Sequence, residues 1–299
     1  MEEKTTINVI SDGANWVLDS IKKDYCINTR HNISSDANIN WVLSWWSLAN
    51  NIGRKNTVAH LHHIDQSQMH VYNFNLINHC KACIVPNEIT KNLIASKVTA
   101  PIIKLPYWLL SSFTKPIESR SRIDQIRGSG QKLIIGSFQK DTETVTKKPK
   151  LVKGPDRFIN IVEKLNQTIP VKVVLSGYDR QYVIENLNRL NIEYVYFERD
   201  PNISDLYESL DWYFVTSRDE GGPQAALESC YKKTKILSTN VGICPEILHE
   251  ECICSNEDDF VRKVLDNVDY TEHNYNNILK YLPENVIPKY DNFFKEILK

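Results

Sequence analysis

No stretch of the 299 residues is apolar for long enough to span a bilayer. Neither charge is in excess. Lys and Arg number 36 against 37 Asp and Glu, a net of −1, so the bulk electrostatic basis for binding nucleic acid is missing. Cysteine is odd in number, seven residues without regular spacing, which argues against a disulfide framework and for a reducing compartment. One C-x-x-C occurs, Cys80 to Cys83, with no second pair to complete a zinc site, so two small buried residues are expected there. The dinucleotide fingerprint G-x-G-x-x-G is absent, which argues against a nicotinamide cofactor. There is no internal repeat and no low-complexity tract. The opening MEEKTTINVISDG is acidic and runs straight into an apolar strand, unlike a secretory leader, so a cytoplasmic protein is expected.

What is present is an ordinary globular composition, 41% hydrophobic and 24% charged, long enough for two domains. Strand and helix patterns alternate. Residues 5–10 read as a buried strand, Asp12-Gly13-Ala14-Asn15 as a turn, and 16–23 as a helix. Residues 57–64, 83–86 and 102–105 are further strands, and Asn87 is placed to cap a helix over 88–96. After a polar stretch, 113–131, without clear period, strands at 132–138, 171–175, 193–197 and 212–215 are separated by helices at 156–165, 180–190 and 204–210. Such alternation predicts doubly wound parallel sheets, whose ligands lie at the carboxyl ends of the strands. The expected division is a short first domain, 1–112, a linker at 113–131 and a second domain, 132–287. Pro288 is read as opening a last helix, about 288–299, that packs back on the first domain.

Two aromatic or imidazole clusters stand out in the first half. Trp41 and Trp45 lie four apart, as on one helical face, next to Trp46. Core packing, a sugar-stacking platform and a shallow membrane contact are the readings of this run. In TVAHLHHI, His60 and His62 share one strand face and His63 the other. With Asp65 and His70 nearby a metal cluster is one reading, although the spacing fits no common zinc pattern.

The densest signal is DWYFVTSRDEGGPQAALESCYKKTKILSTNVGICPEILH, residues 211–249. A strand enters a polar loop, then Gly221, Gly222 and Pro223, then a helix over 224–232. Pro223 suits a first helical position, and the glycines permit unusual dihedrals and close approach. A helix N-terminus at the carboxyl end of a strand is an anion site. Glu220 and Glu228 frame it, with seven residues between, and carboxylates accept hydrogen bonds from sugar hydroxyls.

This stretch resembles the donor-binding signature of retaining GT-B glycosyltransferases, in particular glycosyltransferase family four. The order Ser217, Glu220, Gly221, Pro223, Glu228 follows the family's S-x-x-E-G-x-P-x-x-x-x-E, and Gly242-Ile243-Cys244-Pro245-Glu246-Ile247 follows its G-G-x-P-E-I, with Ile243 replacing the second glycine. The resemblance implies an α/β GT-B fold, two Rossmann-like doubly wound parallel-sheet domains facing a cleft. It implies a metal-independent transfer from a UDP- or GDP-linked sugar, as substrate rather than cofactor, to a glycan, lipid-linked or protein acceptor, as in polysaccharide biosynthesis. No D-x-D triplet stands where a metal-dependent GT-A enzyme would have one. Peripheral contact with the inner face of a membrane is compatible with this; nucleic acid is not a partner.

By the same resemblance Glu220 contacts the donor sugar and Glu228 the ribose. Lys153, just before Gly154, faces the diphosphate, and Gly13 approaches the phosphates from the first loop. His62, with His63 as the fallback, meets the sugar from the first domain. Gly177 and Tyr178, ending a strand, neighbour the base. The family's arginine after the strand glycine is replaced by Ser137, and Lys140 or Gln139 is the expected substitute. The hinge sequence also departs from the family, with Pro106-Tyr107-Trp108 where P-N-G is usual. Two other classes stay open: a degenerate homologue that binds a glycan or protein without catalysis, and a sugar-nucleotide epimerase.

Overall fold

The computed structural model describes residues 5–14, 16–114, 120–198, 200 and 202–299. The chain divides into two units, one of residues 1–114 and 280–299 and one of residues 115–279.

Unit 1 is built on β1 (Thr6–Ile10), β2 (Asn32–Ile33), β3 (Ile39–Val42), β4 (Thr57–His60), β5 (Ala82–Val85) and β6 (Ile102–Lys104), in the order β2-β1-β3-β4-β5-β6. Unit 2 follows with β7 (Leu133–Ser137), β8 (Val171–Ser176), β9 (Glu193–Phe197), β10 (Trp212–Val215), β11 (Lys235–Thr239) and β12 (Ile253–Cys254), in the order β12-β11-β10-β7-β8-β9. Every pairing is parallel. Five inner strands, β3, β4, β5, β8 and β10, are buried along their whole length, as suits parallel strands covered on both faces. In each sheet the chain starts in the middle, winds to one edge, and returns to build the other side. The order therefore reverses between β1 and β3 in unit 1 and between β7 and β10 in unit 2. Neighbouring loops diverge there at the carboxyl ends and leave a crevice.

Most expected elements form within a residue or two of their expected bounds. Asn87 accepts from Thr90 N at 2.7 Å and starts the helix Glu88–Ile94. Four readings need correction. Trp41 belongs to β3, and Trp45 and Trp46 open a short 3-10 segment, Trp45–Asn50, so the tryptophans do not share a helical face. The run INWV is β-branched and aromatic, and parallel pairing on both sides outweighs the spacing of four. The strand TVAHLHHI stops at His60, leaving His62 and His63 in the following loop. Within the polar stretch 113–131, Arg120–Arg127 is a helix that buries Ile126, while residues 115–119 of that stretch, like Asn15 of the first turn, lie outside the described residues. Pro283, not Pro288, opens the last helix, Pro283–Ile297, and Pro288 lies inside it. Leu282 precedes it in extended conformation, which suits a proline at the first helical position.

That helix completes unit 1. Tyr290 and Phe294 pack on Tyr25 and Trp41. Asp291, wholly buried, accepts from Tyr25 Oη at 2.8 Å, Thr29 Oγ1 at 2.6 Å and Arg30 N at 3.1 Å. Burial raises the Tyr25 phenol far above its ordinary range, so it stays a neutral donor. A buried carboxylate is tolerated only with its acceptors filled. Asp291→Ala is expected to lower the unfolding free energy by about 2–3 kcal/mol, by stranding a buried hydroxyl and an amide. Urea denaturation of the variant with an unchanged midpoint would refute that account.

Candidate donor site

Unit 2 gathers its polar side chains at the reversal point. Gln139 follows β7 and Thr216-Ser217 follow β10. Between them passes the turn Leu151–Lys153 and Gly154, which opens the helix Pro155–Asn166. Gly154 has φ +65°, and a Cβ there would lie 1.9 Å from the carbonyl oxygen of Thr216. Glycine alone meets both conditions. The contact is stitched by Thr216 Oγ1, which donates to Gly154 O at 2.9 Å, and by Arg218 N, which donates to Val152 O at 2.8 Å. The Arg218 guanidinium then clasps both oxygens of Asp156, at 2.8 and 2.6 Å.

This crossing places Lys153 Nζ 2.7 Å from Glu220 Oε1. Ser217 Oγ is 2.9 Å from the same oxygen and 3.2 Å from Gln139 Oε1, and Gln139 Nε2 donates to Lys153 O at 2.9 Å. An ammonium, a carboxylate, a hydroxyl and an amide thus converge in one partly exposed cluster. The loop behind is fixed by Gly242, whose φ is +53° and whose Cβ would fall 2.2 Å from Gly221 O. The close approach that the resemblance assigned to a glycine pair is made by Gly242 alone, because Ile243 turns into the core.

Beyond the cluster begins the helix Gln224–Tyr231. One detail differs from expectation. Pro223 is the residue before the helix, extended at ψ 110°, not its first helical residue. Glu228, one turn in, accepts from the buried Tyr207 Oη at 2.7 Å. Burial pushes its carboxyl up to about 7, an effect the Tyr207 hydrogen bond only partly offsets.

A strand-reversal crevice with a lysine, two glutamates and a helix N-terminus is the furniture of a nucleotide-sugar site. Residues 144–273 match the family of glycosyl transferases group 1. No curated protein matches the chain. Among solved structures, Anabaena HepE in complex with UDP aligns over 98% of this chain and 99% of its own, with TM-score 0.72 and 13% identity. Sucrose-phosphate synthase from Thermosynechococcus elongatus aligns over 88% and 74%, with TM-score 0.70 and 11% identity. A glycosyltransferase from Rickettsia africae aligns over 97% and 84%, with TM-score 0.65 and 16% identity. The expected glycosyltransferase resemblance and two-domain α/β architecture hold.

The remaining expected contacts divide. Lys140 turns away from the cluster, pairing with Asp179 at 2.9 Å and with Thr144. Lys150 Nζ lies 3.9 Å from Glu143 Oε1. Burial lowers its pKa, an effect that Glu143 and Glu220 oppose and the Lys153 and Lys140 charges reinforce. No sequence signal set it apart from Lys147 and Lys148 of the same loop. The position of the missing arginine is filled from elsewhere. Arg180, wholly buried, donates to Ser137 O at 2.7 Å, Ser137 Oγ at 3.1 Å and Ser176 O at 3.0 Å, and pairs with buried Asp141 at 2.7 Å. Its donors tie the ends of β7 and β8 together, so this guanidinium is structural. Gly177 ends β8 with φ +97°, beside half-exposed Tyr178.

In unit 1, Gly13 follows β1 with φ +69° and open space around it. The three histidines separate. His60 is in the core, stacked on Tyr107 at 4.6 Å and Trp41 at 5.8 Å, and burial drives it neutral. His62 lies beyond the strand, 5.1 Å from the Trp16 ring. Among the described residues no three His, Cys, Asp or Glu side chains gather as a metal site. Cys80 and Cys83 are buried free thiols, raised by burial. No described helix is long and apolar enough to cross a membrane.

The Glu228 carboxyl gives a pH signature. Its folded pKa lies above the ordinary value, so the folded state binds the extra proton between about pH 4.5 and 7, and stability from this group falls as pH rises through that window. Glu228→Gln keeps an acceptor for Tyr207 and abolishes the titration. Its stability relative to wild type should therefore grow by on the order of 2 kcal/mol between pH 5 and pH 8. Urea melts at the two pH values read this directly, and a constant gap would mean that Glu228 titrates normally.

Proposed function

We propose that this protein is a retaining, metal-independent glycosyltransferase that takes a sugar from a uridine- or guanosine-linked nucleotide donor. The reading is carried by one observation, the convergence of Lys153, Ser217 and Glu220 at the β7/β10 reversal with Glu228 behind them. The HepE structures with UDP, with UDP and glucose, and with UDP-glucose support uridine as the base.

In this reading the donor diphosphate lies on the amides at the start of the helix Gln224–Tyr231 and is neutralised by Lys153, with Lys150 in place of Lys140. Lys153 exchanges part of its interaction with Glu220 for the phosphates, which frees Glu220 to accept from sugar hydroxyls. Glu228 accepts from the ribose, held in place by Tyr207. Gly221, Gly222 and Pro223 form the wall beside the sugar, and Gly177 the wall beside the base. The leaving phosphate deprotonates the acceptor hydroxyl on the same face, so configuration is retained. Helix dipole and lysines stabilise the diphosphate charge, a role a metal plays elsewhere. The acceptor is a glycan, free or lipid-linked, and the site of action is the cytoplasm.

Calorimetric titration of UDP, GDP and ADP, with and without magnesium, tests this. One nucleotide should bind without metal, more tightly at pH 8 than at pH 6 because the ribose bond needs the Glu228 carboxylate. Glu228→Ala and Lys153→Ala should each weaken it at least tenfold, about 1.4 kcal/mol. The buried Arg180 and the missing family arginine favour one rival, a binder without catalysis. Absence of binding by all three nucleotides would select it.

A further inference from the structure

Unit 1 has its own strand reversal, between β1 and β3, and what lies at its carboxyl end is aromatic. Trp16, after β1, and Trp46, after β3, stack with ring centroids 5.9 Å apart and planes at 25°. The His62 ring, after β4, meets Trp16 edge-on at 5.1 Å and Trp46 at 6.1 Å. Both indoles are exposed, 36% and 44%, although apolar surface of this size is ordinarily covered.

Trp16 is held in that position. Its indole N–H donates to Asp12 Oδ1 at 2.9 Å, and its backbone N–H donates to Asp19 Oδ2 at 3.2 Å. Asp19 is anchored in turn by Ser11 Oγ at 2.7 Å, and Asp12 Oδ1 also accepts from Ala14 N at 3.2 Å. An exposed indole fixed by its polar edge leaves its face for a ligand at little ordering cost. Beside it stand Asp12, whose two bonds use one of its two carboxylate oxygens, and the His62 imidazole. A flat apolar face rimmed by hydrogen-bonding groups is complementary to a pyranose ring, which offers a patch of C–H on one side and hydroxyls at its edge. The two side chains that hold Trp16, Asp12 and Asp19, are acids, which suit hydroxyl donors and repel an anionic lipid surface.

We propose that Trp16 and Trp46 form the stacking platform for the acceptor, and that the acceptor presents a neutral pyranose there, with Asp12 and His62 binding its hydroxyls. This rests on reading the chain as a glycosyltransferase.

The test is intrinsic fluorescence of the full chain titrated with methyl α- and β-pyranosides of glucose, galactose, mannose and N-acetylglucosamine, and separately with phosphatidylglycerol vesicles. At least one pyranoside should quench the signal. Its apparent affinity should fall at least tenfold in Trp46→Ala and in Trp16→Ala and return to within about threefold of wild type in Trp46→Phe, which keeps an aromatic face. A wild type silent to every pyranoside, or responding to vesicles alone, would overturn the platform. UDP titration of the same samples reads unit 2 separately. Absence of binding by UDP, GDP and ADP alike in wild type overturns the donor reading, whereas binding of one nucleotide with no pyranoside response overturns only the platform.

Discussion

Gly154 sits against the carbonyl of Thr216 at a distance that no side chain survives. That contact lets the loop after β7 cross the end of β10, and the rest of the candidate donor site hangs from the crossing. It delivers the Lys153 ammonium to Glu220, and it brings the Lys153 carbonyl within reach of Gln139. It also draws Arg218 onto Asp156, at the first turn of the following helix. Gly242 plays the same part on the other side, against Gly221. Two glycines of positive φ, far apart in sequence, bring together a site whose members come from three loops. Each would clash if given a side chain, and the loss would be of geometry before it was of stability.

The charges of unit 2 fall into two kinds, separated by water. Arg180 and Asp141 are both out of solvent, and every donor of the pair that the structure records goes to the ends of β7 and β8 or to each other. Desolvation makes such a pair expensive to form and expensive to break, which suits a fixed brace and not a ligand contact. Lys153 and Glu220 keep 20% and 10% of their side-chain surface exposed. Partial solvent access screens their attraction more than that of the buried pair. Glu228 lies between these cases, half-closed against Tyr207, with its proton held near neutral pH. Held ionised above that pH, it costs the folded protein stability.

The fold was largely legible from periodicity. Buried β-branched strands such as VKVVL, the cap at Asn87 and the strand–helix alternation left little freedom in element type. The site was legible where several residues occur in fixed order, from Ser217 to Glu228, because order along a strand–loop–helix unit is local. It was not legible where chemistry depends on partner choice. Lys140 and Lys150 lie in one polar loop, yet Lys140 is spent on Asp179 while Lys150 stands by Glu143. Arg180 gave no signal at all, because its role is to complete a strand end 43 residues away. Trp41 and Trp45 suggested one helical face, whereas sheet pairing sends Trp41 to the core and Trp45 opens the following 3-10 turn.

The sequence by itself determined the classes of element, their alternation and the donor signature, since propensity, capping and spacing act over a few residues. The tertiary structure alone decided which of His60, His62 and His63 stays near solvent by an aromatic pair, which lysine meets Glu220, and where each sheet reverses. Those are set by long-range register and by loops crossing at two glycines, and no short window of sequence contains both sides of such a contact.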